Sequence, residues 1–186
     1  MPMAETPQDL TGLSLAEIAR LADEAKLPPV ESWNPTHCGD SEMRIGRDGT
    51  WFHQGSPIGR PAMVKLFSTI LRREPDGSHV LVTPVEKLDI HVEDAAFVAV
   101  EVKSDGAGEA RRLAFRLNTG DLVVAGADHP LRIEEKGDGP HPYLAVRNGL
   151  EALVARSVYY ELVHLALEEA TDPPGLWSGG MFFSVA

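Results

Sequence analysis

The sequence has a single cysteine, Cys38. One cysteine cannot form a disulfide within the chain, and this usage is typical of proteins from reducing compartments. The segment around it, His37-Cys38-Gly39-Asp40, has none of the Cys and His spacings of a zinc site. We therefore expect Cys38 to be a buried structural residue.

Long apolar runs are also missing. No window approaches the ~20 apolar residues that a membrane-spanning helix needs. The first ten residues lack the basic start and apolar core of a signal peptide. The sequence predicts a cytoplasmic protein with no membrane partner.

Basic residues are scarce: 17 Lys and Arg stand against 28 Asp and Glu, which gives a net charge of −11. Such a field repels polyanions, so a polymeric nucleic acid is not expected as a partner. Individual arginines can still bind a small anion. The sequence does not predict an oligomeric state.

Familiar catalytic motifs do not occur. The sequence has no P-loop ending, no Gly-x-Ser-x-Gly and no Rossmann glycine pattern. We therefore predict no catalytic residue, no metal site and no cofactor, and a non-enzymatic role is favoured over an enzymatic one.

Turn and helix signals divide the chain into short elements. Arg47-Asp48-Gly49, between two strand-like runs, predicts a hairpin because glycine accepts positive φ without strain. Pro61 predicts the first turn of a helix. The residues expected on the buried side of that helix are Met63, Val64, Leu66, Phe67, Ile70 and Leu71, with Pro75-Asp76-Gly77 closing it.

The rest of the chain alternates in the same way. An N-terminal arm over residues 1–12 precedes a helix that begins at a Ser14 capping box. The centre predicts several strands, and residues 135–142 predict a loop. A final long helix is expected to carry Val154, Val158, Leu162, Leu165 and Ala166 on one face. The aromatic tail with Trp177 and Phe183 is expected to pack back onto the body.

A faint internal echo links Arg47-Asp48-Gly49 to Arg147-Asn148-Gly149. With a gap of four residues, Arg60 then aligns with Arg156, and an amphipathic helix follows each arginine. The echo is either chance or the trace of two related units whose equivalent arginines face a shared cleft. Clefts between domains are preferred sites for small ligands.

Several motifs taken in order resemble a bacterial family known as domain of unknown function 1285. They are Trp33-Asn34-Pro35, Cys38-Gly39-Asp40, Arg47-Asp48-Gly49-Thr50-Trp51, Pro57-Ile58-Gly59-Arg60-Pro61, Val82-Thr83-Pro84-Val85-Glu86-Lys87, Asp128-His129-Pro130-Leu131-Arg132, Gly149-Leu150-Glu151-Ala152-Leu153 and Trp177-Ser178-Gly179-Gly180. The resemblance implies a two-domain α+β fold with an internal repeat and a cleft between the halves. It also implies a nucleotide-like ligand and a role in signal transduction, but no established activity.

The best candidate site is the loop with Ser56, Gly59 and Arg60. A glycine-bearing loop that leads into a helix exposes backbone N–H groups at the positive end of the helix dipole. Arg60 adds a guanidinium that can grip phosphate or carboxylate at two points. The alternative is that the loop only shapes the start of the helix while Arg60 pairs with an acid.

The second candidate is Asp128-His129-Pro130-Leu131-Arg132. His129 can carry a proton near neutral pH and Arg132 can hold an anion, although an Asp-His-Pro run is more typical of a simple turn. Further candidates are Arg44 and Arg147 near hairpin turns, and Trp177 as a stacking surface at a cleft edge.

We therefore expect an α+β protein with two small domains over residues 13–88 and 89–186. The expected function is to bind a small anionic, nucleotide-like molecule in the cleft between the domains. The alternatives are an enzyme acting on a phosphorylated metabolite, with Asp128 or His129 as the acid or base, and a protein-interaction module.

Overall fold

The computed structural model describes Ser14 and residues 27–186. The predicted arm over residues 1–12 and the body of the predicted first helix lie outside the described residues. Within them, no helix is both long and apolar enough to cross a bilayer. The described chain forms two compact units: residues 27–96 with the turn Asn148–Leu150 make the first, and Phe97–Arg147 with Glu151–Ala186 make the second.

The first unit contains a six-stranded sheet. Its strands are β1 (Cys38–Ile45), β2 (Trp51–His53), β3 (Ser56–Pro57), β4 (Leu71–Arg73), β5 (His79–Val82) and β6 (Lys87–Val92). Their order across the sheet is β3-β2-β1-β6-β5-β4, and the central pair, β1 and β6, is parallel. The predicted hairpin is confirmed: Gly49 has φ 86°, and Asp48 Oδ1 accepts the Thr50 N–H at 3.0 Å.

The predicted helix is confirmed as α1 (Pro61–Thr69), but two residues of its predicted buried face are exposed. Met63 is 37% exposed and Leu66 is 64% exposed. The helix has only nine residues, and its Phe67 ring stacks on the buried Trp51 of β2 with the ring centres 6.4 Å apart. Leu71, which is buried, belongs to β4 and not to the helix.

The turn Pro75-Asp76-Gly77 joins β4 to β5 and does not close the helix. The chain leaves α1 at Ile70, whose N–H donates to the carbonyl oxygens of Phe67 and Ser68. Strand β4 follows at once, which places a strand where helix was expected. A small core of Val30, Val80 and Val82 lies beside this point, with Trp33 and Ile70 packed against it.

The second unit contains another six-stranded sheet. Its strands are β7 (Phe97–Asp105), β8 (Arg112–Leu117), β9 (Leu122–Val124), β10 (Leu131–Lys136), β11 (Gly139–Arg147) and β12 (Leu150–Val154). Their order is β10-β11-β12-β7-β8-β9, with β7 and β12 parallel at the centre. The loop predicted over residues 135–142 is wrong, because Lys136 pairs with Gly139 in a tight hairpin between β10 and β11.

The predicted long helix is confirmed as α2 (Arg156–Glu169), except that Val154, expected on its apolar face, ends strand β12. It is followed by a two-stranded sheet of β13 (Gly175–Ser178) and β14 (Met181–Ser184). The aromatic tail packs back as predicted: Phe183 is buried, and the Tyr159 hydroxyl of α2 donates to the Val185 carbonyl oxygen at 2.6 Å.

The two six-stranded sheets share the same strand order. In each, the first and last strands form the central parallel pair, and the third and fourth strands form the two edges. The architecture is therefore repeated, although it is mostly sheet with two α-helices in the described residues, and not the evenly mixed α+β fold expected. The echo does not follow this repeat, because it aligns the first and second strands of one sheet with the fifth and sixth of the other.

The expected division after residue 88 falls inside a strand. β6 runs from Lys87 to Val92 and pairs with both β1 and β5, so its six residues belong to the first sheet. The first unit continues to Ala96, and β7 begins the second sheet at the buried residue Phe97.

Candidate functional site

An open cleft of about 370 Å³ lies at the end of β4 in the first unit. Its lining residues are mostly polar and come from three stretches of the chain: Glu31, Asn34, Arg72, Arg73, Glu74, Pro75, Asn148 and Gly149. All eight belong to the first unit, which includes the turn Asn148–Leu150. The volume is within the range of small-molecule sites.

Arg72 anchors one wall of the cleft. Arg72 is only 7% exposed, and its Nη1 donates to the carbonyl oxygens of Val30 at 2.9 Å and Trp33 at 2.6 Å. Its Nε and Nη2 both donate to Glu74 Oε1, at 3.0 and 2.8 Å. Every nitrogen of this guanidinium is thus engaged, so Arg72 holds the wall in place.

Arg73 is exposed and presents its guanidinium at the cleft. Side chains alternate along a strand, so Arg72 and Arg73 leave β4 in opposite directions. Arg73 Nη1 donates to the Gly149 carbonyl oxygen at 2.9 Å, which fixes the direction of the side chain. The guanidinium has five N–H donors in a planar fork, a geometry that suits carboxylate and phosphate groups.

The turn that faces Arg73 is a tight one. Asn148 has φ 44° and Gly149 has φ 80°, and positive φ at both central residues is the mark of the type I′ hairpin turn for which Asn-Gly is favoured. This turn connects β11 to β12 and presents the Gly149 carbonyl and the exposed Asn148 amide to the cleft. The same turn is part of the internal echo, in which Arg147-Asn148-Gly149 was compared with Arg47-Asp48-Gly49.

His79 lies beside Arg73 across the β4–β5 pair. Burial lowers the pKa of His79, and the positive charge of Arg73 lowers it further. The neutral imidazole is therefore the favoured form next to the cleft.

Arg44, which was predicted to contact the ligand, forms an ion pair with Glu93. Its Nη1 donates to Glu93 Oε1 at 2.5 Å, and its guanidinium carbon lies 4.0 Å above the centre of the Phe52 ring. The second Glu93 oxygen accepts the Arg47 N–H at 3.2 Å. This arrangement ties β1 to the chain after β6, and Arg44 is not among the residues that line the cleft.

Ser56, Gly59 and Arg60 lie together in the exposed approach to α1. Ser56 is in the edge strand β3, and a Cβ added at Gly59 would meet open space. Arg60 caps α1 with its backbone, since its carbonyl oxygen accepts the N–H groups of Met63 and Val64, and its side chain makes no cap hydrogen bond. Among residues 27–186, the Arg60 side chain has no ion pair with an acid, so this loop stays a predicted anion site.

Arg132 of the second unit is surrounded by carboxylates. Its Nε and Nη2 form a bidentate pair with Glu151 at 2.8 and 2.9 Å, and its Nη1 donates to Glu134 at 2.8 Å. The guanidinium also lies 4.5 Å from the centre of the Tyr143 ring. These hydrogen bonds raise the pKa of Arg132, and an incoming anion has to compete with two acids.

Asp128 and His129 form a turn, as the alternative interpretation predicted. The N–H groups and carbonyl oxygens of Gly126 and His129 pair with each other, and His129 Nδ1 lies 3.1 Å from the Ala145 carbonyl oxygen. The imidazole is half-buried and is held to the backbone, while Asp128 is exposed.

Arg147 and Trp177 both rest on aromatic rings. The Arg147 guanidinium lies 5.2 Å from the centre of the Phe97 ring, and burial lowers its pKa. The Trp177 ring meets Phe182 edge to face at 5.6 Å, across the β13–β14 pair. None of the predicted residues lines the Arg73 cleft, so the ligand roles assigned to them stay predictions.

Cys38 is exposed, which contradicts the expected buried position. It begins β1 at the rim of the sheet, opposite Lys87. In the described part of the chain, no group of three or more His, Cys, Asp or Glu side chains is placed to hold a metal ion.

The sequence analysis did not predict the cleft, because the short segments that line it carry no recognisable binding motif. Arg72-Arg73-Glu74 has the composition of a surface strand end, and Asn34 stands in an irregular stretch. The one available signal was Asn148-Gly149, which marks a tight turn but does not indicate what the turn contacts.

Two adjoining family models match the chain. The DUF1285 N-terminal domain, described as a domain of unknown function, matches residues 28–95, and the DUF1285 C-terminal domain, described as a protein of unknown function, matches residues 96–185. The boundary between the models coincides with the boundary between β6 and β7. No curated protein matches the chain.

Two solved structures are similar over most of the fold. A DUF1285 family protein from Silicibacter pomeroyi DSS-3 has 48% sequence identity and a TM-score of 0.78, covering 90% of this chain and 93% of its own. A DUF1285 family protein from Shewanella baltica OS155 has 26% identity and a TM-score of 0.52, covering 69% of this chain and 96% of its own. The family predicted from the ordered motifs is confirmed, and the chain belongs to the DUF1285 family.

Proposed function

We propose that this protein binds a small anionic molecule in the cleft at the end of β4, as a binding protein and not as an enzyme. The observation that carries the proposal is the exposed Arg73 guanidinium, which the Gly149 carbonyl orients at the cleft. An oriented guanidinium is well suited to a carboxylate or phosphate because its donors form a planar fork.

The surrounding groups support recognition of a small ligand and not of a polymer. The wall of the cleft is held by the Arg72–Glu74 pair, and the amides of Asn34 and Asn148 can each donate or accept a hydrogen bond. The net charge of −11 opposes long polyanions, whereas one arginine suffices for one anionic group.

More specifically, we propose that the ligand resembles a nucleotide and that its binding serves signal transduction. The amides of Asn34 and Asn148 have the donors and acceptors that a base edge needs, and a change of ligand concentration would be the signal. Enzymatic action on a phosphorylated metabolite is less favoured, because His129 is held by the Ala145 carbonyl in a backbone turn.

Thermal unfolding with inorganic phosphate, nucleotides and phosphorylated metabolites, at fixed ionic strength, tests the proposal. A ligand present at ~100 times its dissociation constant adds roughly 2.7 kcal/mol to the free energy of unfolding. Arg73→Gln should abolish the midpoint shift of any compound that binds, while leaving the unliganded midpoint nearly unchanged because Arg73 is exposed.

The matched control is Arg60→Gln, which removes one exposed arginine from the other candidate anion site. The proposal expects this variant to respond like the parent protein. If Arg60→Gln abolishes the shift and Arg73→Gln does not, the ligand binds at the start of α1 and the cleft is not the site. If no compound shifts the midpoint, the binding function itself is rejected.

A further inference from the structure

The outer side of α2 carries two large apolar side chains that are mostly exposed. Tyr160 is 59% exposed and Leu167 is 65% exposed. Seven residues make about two turns of helix, so these side chains lie on one line along α2, with the exposed His164 between them. A spacing of seven between apolar residues is the repeat with which helices pair in coiled coils.

Charged side chains of opposite sign flank this line. Successive residues turn by about 100° around a helix, so Arg156 lies on one side of the line. Glu161 and Glu168 lie on the other side, and all three side chains are exposed. In heptad notation Tyr160 and Leu167 are d positions. Arg156 is then a g position, and the two glutamates are e positions.

We propose that α2 pairs with the α2 of a second copy of this chain, with the two helices parallel. In a parallel pair, the g flank of one helix lies against the e flank of the other, and a g residue meets the e residue five positions further on. Arg156 of one copy then faces Glu161 of the second copy. Two-fold symmetry repeats this pair, so one face serves both copies.

The antiparallel arrangement of the same two helices lacks this complementarity. There the two e flanks lie against each other, and Glu161 of one copy approaches Glu168 of the second copy. Like charges at short range repel. The charges of α2 therefore favour the parallel direction.

Arg156 and Glu161 are both open to such a partner. Within residues 27–186, neither side chain makes an ion pair. The hydrogen bond from His141 lowers the pKa of Asp138, and the charge of Arg156 adds to that effect. The Asp138 carboxylate lies 2.8 Å from His141 Nε2, so this histidine, and not Arg156, is its contact.

The contact is short, so the dimer should be reversible. α2 has 14 residues, which is two heptads and about 21 Å of helix. Stable interfaces bury about 1,600 Å² in total, more than two heptads with the polar residues Ser157 and His164 at the a positions provide. We expect a dissociation constant between about 1 µM and 1 mM.

Sedimentation velocity of the full chain, from about 1 µM to 1 mM, covers this range. Leu167→Ala should weaken the dimer at least about tenfold, because it removes an apolar contact from each copy. Leu66→Ala removes a leucine of α1 that is 64% exposed and is the matched control, which should behave like the parent. A parent that stays monomeric rejects the proposal, as do two leucine variants with equal effects.

Exchange of charges tests the predicted pair. Arg156→Glu should weaken the dimer at least about fivefold, because two attractive pairs become repulsive. Adding Glu161→Arg restores both pairs with reversed signs and should return the dissociation constant to within about threefold of the parent. Adding Glu168→Arg instead should not restore it, since Glu168 meets Val163 of the second copy. No rescue by Glu161→Arg, or equal rescue by both, contradicts the predicted pair.

Cysteine crosslinking distinguishes the two directions. Cys38 is the one cysteine and is exposed, so Leu167→Cys is made together with Cys38→Ser. In a parallel dimer the two Leu167 positions face each other, and mild oxidation should give a covalent dimer. In an antiparallel dimer Leu167 faces Tyr160 of the second copy. Crosslinking only in a mixture of Leu167→Cys and Tyr160→Cys chains therefore overturns the parallel arrangement.

The α2 face lies in the second unit, whereas the Arg73 cleft is lined by residues of the first. Leu167→Ala should therefore leave any ligand-induced shift of the unfolding midpoint unchanged. Loss of that shift together with the dimer would mean that the α2 face also takes part in ligand binding, which contradicts a contact made only between two copies.

Discussion

Arg73 and Gly149 are 76 residues apart in the sequence, yet the Arg73 Nη1 donates a hydrogen bond to the Gly149 carbonyl oxygen at 2.9 Å. The contact places the strand end of β4 against a hairpin turn within one compact unit. It orients an exposed cation at the cleft on which the proposed function depends.

Arg72 should contribute strongly to the stability of the folded protein. Arg72→Ala is expected to lower the free energy of unfolding by roughly 3–5 kcal/mol, because it leaves the Glu74 carboxylate and two backbone carbonyls without their donor. Urea denaturation measures the loss.

Arg44→Ala is the control for this prediction. Arg44 is also paired with one glutamate, but its side chain is 38% exposed. Its loss should therefore cost only about 1 kcal/mol. Equal losses in the two variants would mean that the burial of Arg72 does not strengthen its role.

The two leucines near α1 should respond differently to truncation. Leu71→Ala removes a side chain that is 1% exposed and should cost about 2–5 kcal/mol of unfolding free energy. Leu66→Ala, on the exposed side of the helix, should stay within about 0.5 kcal/mol of the parent. A large loss at Leu66 would show that this face is covered in solution.

Gly175 should not tolerate even a methyl group. A Cβ added there would lie 2.4 Å from the Phe182 ring and 2.5 Å from the Phe183 carbonyl oxygen, so backbone has to move. Gly175→Ala is expected to cost about 1–3 kcal/mol. At Gly137 a Cβ meets open space, so Gly137→Ala serves as the control and should lower the melting temperature little or not at all.

His79 should make the protein less stable in mild acid. Burial and Arg73 lower its pKa below the ordinary value of 6.5, so the unfolded chain binds a proton at a higher pH than the folded one. The free energy of unfolding must then fall as the pH drops below about 6.5, until the folded pKa is passed.

His79→Gln should flatten this part of the pH profile of stability, measured by urea denaturation from neutral pH downwards. His164→Gln removes an exposed histidine of α2 and should leave the profile unchanged. A parent and a His79→Gln variant with parallel profiles would contradict the predicted role of burial.

Local chemistry in the sequence determined the tight turns, several central strands and the start of α1. Asp48-Gly49 and Asn148-Gly149 form tight turns because glycine adopts positive φ without strain. Pro61 begins α1 since it lacks the N–H that a first helical turn leaves unused. The ordered motifs were also sufficient to identify the family, because their joint sequence order is specific.

Only the tertiary structure decided which of these local elements meet. The common strand order of the two sheets depends on the pairing of first and last strands, which no local pattern encodes. Leu66 was expected in the core because helical spacing indicates a face but not whether anything covers it. Arg44 and Arg132 looked available in the sequence, yet Glu93 and Glu151 reach them from other parts of the chain. The Arg73 cleft arises for the same reason: its charges come from residues far apart in the chain, and folding alone brings them together.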